Sequence, residues 1–175
     1  MQILAISGSL RAASANTTLL KAAAALVPED VRLNLYHGLG DLPPFNPDVD
    51  KDPPQAAVAD FRCQLRQSAG VIFSTPEYAH GVPGVLKNAL DWVVASGELY
   101  NKPVALFSAS SRAGYAQASL IETLTVMSAR VVPEACIVVA LSRKNLQELD
   151  IVAMSDPSPS ARSALAAFAR ATVQI

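Results

Sequence analysis

Five short apolar runs, Ile3 to Ser7, Val31 to Tyr36, Val71 to Thr75, Val104 to Ser108 and Ala135 to Ala140, alternate along this chain with segments of helical spacing. Capping and periodicity place the helices at about Ser14 to Leu26, Pro54 to Ser68, Val85 to Ser96, Ala116 to Ala129 and Ser160 to Ala171. Five buried-looking strands alternating with five helices specify an α/β fold, a doubly wound parallel sheet with helices packed on its faces. The turn-rich stretches His37 to Pro54 and Ser155 to Ser160 read as loops within one domain over 1–175, and no internal repeat is apparent.

Composition narrows the function classes. A chain of 175 residues that is 51% hydrophobic and 17% charged has the balance of a globular domain with a sizeable core. A formal net charge of -1 supplies no basic field for nucleic acid or an anionic membrane. The start, Met1-Gln2-Ile3, lacks the basic region and apolar core of a signal peptide, and no apolar run reaches membrane-spanning length. Cys63 and Cys136 belong to no metal or redox motif, which suits a reducing cytosol, and the expected location is cytoplasmic. No metal-ligating cluster, Ser-His-Asp set or paired carboxylates stand out.

In doubly wound sheets ligands sit outside the carboxyl ends of the strands, and three loops leave those ends with unusual chemistry. The first, Ser7 to Thr17, joins a strand to a helix. Helix starts leave backbone N–H groups unpaired and carry partial positive charge, so Ser9, Ser14, Asn16 and Thr17 with the forked cation of Arg11 make a site for a phosphate dianion. The same residue types also make ordinary helix caps. Common nucleotide fingerprints are absent: there is no Gly-x-x-x-x-Gly-Lys-Ser/Thr run and no Gly-x-Gly-x-x-Gly turn at this strand, and no cysteine nucleophile lies in the loop. The pattern fits a phosphate that is held, not transferred.

The second loop, Ser74 to Gly84, is rigid by composition. Pro76 and Pro83 fix backbone angles, Gly81 and Gly84 are the candidates for positive φ or close approach, and Tyr78 offers a flat face to a planar ligand or closes the loop over the core. Lys87 and Asp91 sit at i, i+4 on the following helix, and Trp92 reads as core or subunit contact. The third loop, Ser108 to Gln117, is small and polar and either presents backbone amides to a ligand edge or is a plain strand-to-helix turn; Arg112 lies within it.

Gly8-Ser9-Leu10-Arg11 with Ser14 and Asn16, followed by Pro76-Glu77-Tyr78 and Pro83-Gly84-Val85-Leu86-Lys87-Asn88-Ala89-Leu90-Asp91-Trp92, resembles the NADPH-dependent FMN reductase family. Leu42-Pro43-Pro44-Phe45-Asn46-Pro47 and the Ser110 to Gln117 loop fall where that family has corresponding loops. The resemblance implies a flavodoxin-like three-layer sandwich with strand order 2-1-3-4-5 and a non-covalent FMN. It also implies NADPH or NADH as electron donor, with quinones, free flavins, azo compounds or oxidised metal species as acceptors. Carried over residue by residue, it places the FMN phosphate on Ser9, Arg11, Ser14, Asn16 and Thr17. The flavin ring falls against Pro76, Glu77, Tyr78, Ser110 and Gly114. Two departures stand out: Ala79-His80 replaces the Asn that often follows Pro-Glu-Tyr, and Arg112-Ala113-Gly114 replaces a pair of glycines.

The mechanism so implied is ping-pong hydride transfer, in which the cofactor carries the hard chemistry and no protein acid or base is required. His80 is as readily a structural or solvent-exposed residue as a donor near the ring. A non-enzymatic electron carrier and a flavin-containing regulatory module share the fold; the neutral surface and Arg11 weigh against the carrier. The apolar helix with Leu86, Leu90, Trp92 and Val93 suggests a homodimer or homotetramer, and the resemblance implies that this helix helps form the interface.

Overall fold

The computed structural model describes residues 1–110, 114–139, 152 and 157–173. Strands β1 (Gln2–Ser7), β2 (Arg32–Leu35), β3 (Gly70–Ser74), β4 (Pro103–Ser108), β5 (Arg130–Val131) and β6 (Ile137–Val138) interleave with helices α1 (Ala15–Ala24), α2 (Ala56–Gln67), α3 (Gly84–Val94), α4 (Gly114–Val126) and α5 (Pro157–Val173). The strands form one parallel sheet in the order β2-β1-β3-β4-β5, with β6 also paired to β4. Register runs from Leu4 opposite Val71 and Ile72 opposite Ala105, so the carboxyl ends of β1, β3 and β4 open side by side.

The period-2 rule for strands explains the layering. Ile3 and Ala5 point to one face, where Leu19 and Leu20 of α1 and Leu165 and Phe168 of α5 cover them. Leu4 and Ile6 point to the other, under Phe61 and Leu65 of α2, Leu86 and Leu90 of α3 and Leu120 and Leu124 of α4. Both faces are sealed, which is what the unbroken apolar runs require. Sheet order and two-sided cover are those of the flavodoxin-like fold.

The edge beyond β4 differs from the expected single strand over Ala135 to Ala140. It is filled in two pieces: β5 pairs with the start of β4, at Pro103 and Val104, and β6 with its end, at Phe107 and Ser108. A 3-10 turn at Pro133–Ala135 separates them, because proline has no N–H for the ladder. The break deprives Leu106 of a carbonyl partner, and its N–H turns instead to Cys136 Sγ at 3.4 Å. Burial raises the Cys136 thiol pKa, as suits a thiol placed for packing rather than reactivity. Ala140, the last residue of the expected strand, lies outside the described residues.

Candidate active site

Ser7 ends β1, and Gly8 continues toward β3 by donating its N–H to the Ser74 carbonyl at 2.8 Å. A Cβ on Gly8 would stand 2.5 Å from Thr75 Oγ1, so the approach of the two loops requires glycine there. Ser7 Oγ and Thr17 Oγ1 lie 2.7 Å apart and tie the start of the loop to the first turn of α1. Ser14, with extended backbone angles, is the N-cap of α1 and accepts from the Thr17 N–H at 3.4 Å. Asn16 is buried, and its Oδ1 accepts from Ser74 Oγ at 3.0 Å. Ser9 Oγ accepts from the Arg11 N–H at 3.4 Å, while the Arg11 side chain is exposed. The helix cap expected of these residue types is therefore present in this loop. No acidic residue enters the first turn of α1, so nothing there cancels the positive end of the helix.

The second loop closes on itself between Tyr78 and Gly81, whose backbones exchange two hydrogen bonds of 2.9 Å each. The turn puts Ala79 at φ 48° and His80 at φ 61°. Positive φ therefore falls on these two residues and not on Gly81 and Gly84, the positions expected from sequence. A two-residue turn with both centres left-handed favours Asn-Gly, and non-glycine residues there hold strain. Tyr78 is 53% exposed and does not close over the core. With Gly8, Ser9, Leu10, Arg11, Pro83, Gly84 and Val85 it lines a cleft of about 400 Å³. That volume lies within the range of small-molecule sites, and nothing comes within 4 Å of where a Cβ on Gly84 would sit.

Of the third loop, Ser111, Arg112 and Ala113 lie outside the described residues. Ser108 Oγ donates to the Ser110 carbonyl at 2.7 Å, and Gly114 opens α4. Two contacts that sequence reasoning missed bridge the second loop to α4. Glu77 Oε2 accepts from the Ala116 N–H at 2.9 Å, and the His80 ring stacks on Tyr115 with centroids 4.1 Å apart and planes 17° from parallel. Neither has a local sequence signal, since the partners lie far apart along the chain.

Helix α3 bears out the expected Lys87–Asp91 pair, at 2.6 Å. The expected interface residues Leu86, Leu90, Trp92 and Val93, however, are each 1% exposed or less and belong to the core of the chain itself. They cannot also face a partner, because α3 needs that stripe to cover the sheet. Asn88 and Trp92 have another task. Asn88 accepts from the Phe45 N–H at 2.7 Å and donates to the Pro43 carbonyl at 2.9 Å, and Trp92 Nε1 donates to the same carbonyl at 2.8 Å. Phe45 meets the Trp92 ring edge-on, so the Leu42 to Pro47 loop is moored to α3.

Residues 1–144 match the family model described as NADPH-dependent FMN reductase. The chain belongs to that family. Among FMN reductase relatives, the NAD(P)H-dependent FMN reductase of Pseudomonas aeruginosa is 40% identical over 121 residues, covering 67% of this chain and 65% of that protein. A 2-hydroxy-1,4-benzoquinone reductase of a Burkholderia species is 42% identical over 92 residues, 53% of this chain and 49% of its own length. The matched segments therefore span about half to two thirds of these curated relatives. Among solved structures, FerB of Paracoccus denitrificans, a flavoenzyme NAD(P)H:(acceptor) oxidoreductase, superposes with a TM-score of 0.70 at 25% identity over 98% of this chain and 95% of that one.

The donor set of the cleft fits the FMN of the family's description. Hydroxyls, a guanidinium and a helix N-terminus without carboxylates suit the phosphate, and the exposed Tyr78 face beside an unobstructed Gly84 suits a flat ring. Among the described residues no group of three or more His, Cys, Asp or Glu side chains is placed to hold a metal ion.

Proposed function

We propose that the protein is an FMN-dependent NAD(P)H oxidoreductase passing electrons by ping-pong hydride transfer to quinones, free flavin or similar acceptors. The observation that carries this reading is the cleft lined both by Ser9 and Arg11, in the loop before α1, and by Tyr78 and Gly84. FMN bound there supplies the redox chemistry, taking hydride from NADPH or NADH and returning electrons to the acceptor. Arg11, Ser9 and the first-turn amides hold the phosphate, with Ser14, Asn16 and Thr17 fixing the shape of the cradle through the bonds described above. Pro76, Tyr78, Ser110 and Gly114 border the ring, with Glu77 holding that border to α4. Gly84 leaves one side of the cleft open, and a site with few buried polar groups rejects few flat acceptors.

The 175 residues make one FMN-binding domain in this reading, working in the cytoplasm. Among the described residues no helix is long and apolar enough to cross a membrane. The working form is a homodimer, or a homotetramer built from it. Its interface is the groove of about 470 Å³ between α3 and α4, where Val94, Tyr100 and Val126 are exposed and the Lys87–Asp91 pair and Glu122 also line it. A two-fold pairing there covers the exposed Val94, Tyr100 and Val126.

The decisive experiment is anaerobic mixing of the FMN-loaded protein with NADPH, followed by a quinone. Bleaching of the flavin absorption by NADPH, its return on adding quinone, and parallel lines in steady state are expected. Failure to take up FMN, or a flavin that NADPH leaves oxidised, overturns the assignment.

A further inference from the structure

We propose that Glu77, His80 and Tyr115 form a two-point latch that fastens the Ser74 to Gly84 loop to the start of α4, and that Glu77 and His80 serve the flavin site by positioning this loop and not by touching the flavin. The proposal rests on the functional reading above. Its first point is the Glu77 carboxylate, which accepts the Ala116 N–H in the first turn of α4 at 2.9 Å. That N–H is one of the donors a helix start leaves unpaired, and a carboxylate at the positive end of a helix is favoured. Glu77 thus acts as a cap supplied from another loop. An oxygen committed in this way aims the carboxylate at α4.

The second point is the ring stack. His80 lies on Tyr115, the residue before Ala116, at a centroid distance of 4.1 Å and an angle of 17°. Tyr115 is 62% exposed, so neither ring is held there by burial in the core. His80 reaches Tyr115 from a backbone at φ 61°, next to Ala79 at φ 48°, a conformation that side chains other than glycine enter at a cost. The two tethers offset that cost by fixing the turn at two points, Glu77 just before it and His80 within it. Tyr78 stands between them and lines the cleft, so the latch sets where its ring stands.

Five variants, compared in three ways, test this on the FMN-loaded protein. In Glu77→Ala the Ala116 N–H loses its acceptor and exchanges with solvent about fivefold to tenfold faster, the usual scale of a lost cap. Glu77→Gln keeps an oxygen at that place and restores protection to within about twofold. His80→Phe keeps a flat ring and behaves as the parent protein, whereas His80→Ala loosens the same amides. Because the latch acts on the ring side, Glu77→Ala weakens FMN and riboflavin equally, while Arg11→Ala weakens FMN alone. A Glu77→Gln variant as impaired as Glu77→Ala, a His80→Phe variant as impaired as His80→Ala, or unchanged Ala116 exchange in Glu77→Ala would overturn the latch. Amide exchange in the parent and variants reads the latch whether or not FMN binds, so its failure is distinguishable from failure of the flavin assignment.

Discussion

The two sides of the cleft are held in different ways. The side proposed for the phosphate, Ser7 to Thr18, is tied mostly within itself: Ser7 to Thr17, Ser9 to Arg11 and Ser14 to Thr17 and Thr18 are contacts within twelve consecutive residues. The ring side, Ser74 to Gly84, is tied to distant segments, with Glu77 reaching 39 residues ahead to Ala116 and His80 meeting Tyr115. It also carries two residues at positive φ, whereas the phosphate loop carries none. A locally held loop can lose one exposed side chain and keep its shape. A remotely held one depends on what it is fastened to.

The largest expected effect breaks the phosphate side without touching the fold. Arg11 is exposed, and in the proposed reading its charge is the main attraction for the FMN phosphate. Arg11→Ala is expected to weaken FMN binding by about 1.5–3 kcal/mol, the scale of a hydrogen bond to a charged group, with thermal stability unchanged. Fluorescence titration with FMN and riboflavin reads both halves. Equal loss for the two flavins would mean that Arg11 does not meet the phosphate.

Next comes the mooring beneath the ring side. Asn88→Ala strips acceptors and donors from the Phe45 N–H and the Pro43 carbonyl at once. About 1–2 kcal/mol of stability should be lost, because the Phe45 N–H is left without its acceptor and the Pro43 carbonyl keeps only Trp92 Nε1. Urea unfolding should show the loss as a lower midpoint at unchanged slope. An unshifted midpoint would show that the Leu42 to Pro47 loop is held by Trp92 alone.

How much of this was legible in the sequence follows from the same contrast. The helix start at Ser14 and the Lys87–Asp91 pair are consequences of neighbouring residues, and short-range rules find them, whereas the close approach of Gly8 to Thr75 joins two distant loops. The alternation of strands and helices likewise carries the sheet. What escaped depends on tertiary contact: the Asn88 and Trp92 mooring, the Glu77 cap and the His80–Tyr115 stack join segments that no local pattern links. The apolar stripe of α3 was legible as apolar, but whether it faced a partner or the sheet was decided by packing. The divided fifth strand follows from Pro133, a residue whose effect on a ladder is readable once the ladder is known.

A third test separates both loops from the rest of the fold by pH. Burial, together with the charges of Asp60 and Asp41 and a hydrogen bond to Asp60, raises the Tyr36 hydroxyl pKa well above its ordinary value. A folded-state pKa above the unfolded one means that the neutral hydroxyl contributes stability below about pH 10, and that this contribution is lost as pH rises further. Burial lowers the Lys102 pKa, so its own contribution runs the opposite way, growing as pH rises toward the unfolded lysine value. Tyr36→Phe should therefore flatten the alkaline loss of stability, at a neutral-pH cost of about 1 kcal/mol for the hydrogen bond to Asp60. An alkaline limb as steep in Tyr36→Phe as in the parent would assign that limb to other groups, Cys136 among them.

The smallest effect is aimed at the strain on the ring side. Ala79 occupies φ 48° with its methyl group exposed, in a turn closed by the two backbone bonds between Tyr78 and Gly81. Glycine removes the left-handed penalty but adds freedom to the unfolded chain, and the two terms differ by less than either. The penalty at this φ is the larger, so Ala79→Gly should stabilise the protein by about 0.5 kcal/mol, a rise in Tm of roughly 1–2 °C for a domain of this size. Calorimetry of the parent and variant measures it. The same change leaves Glu77 and His80 in place, so FMN affinity should not move. A fall in Tm would mean that the latch already relieves the turn completely, and the contrast between a relaxed phosphate loop and a strained ring loop would then disappear.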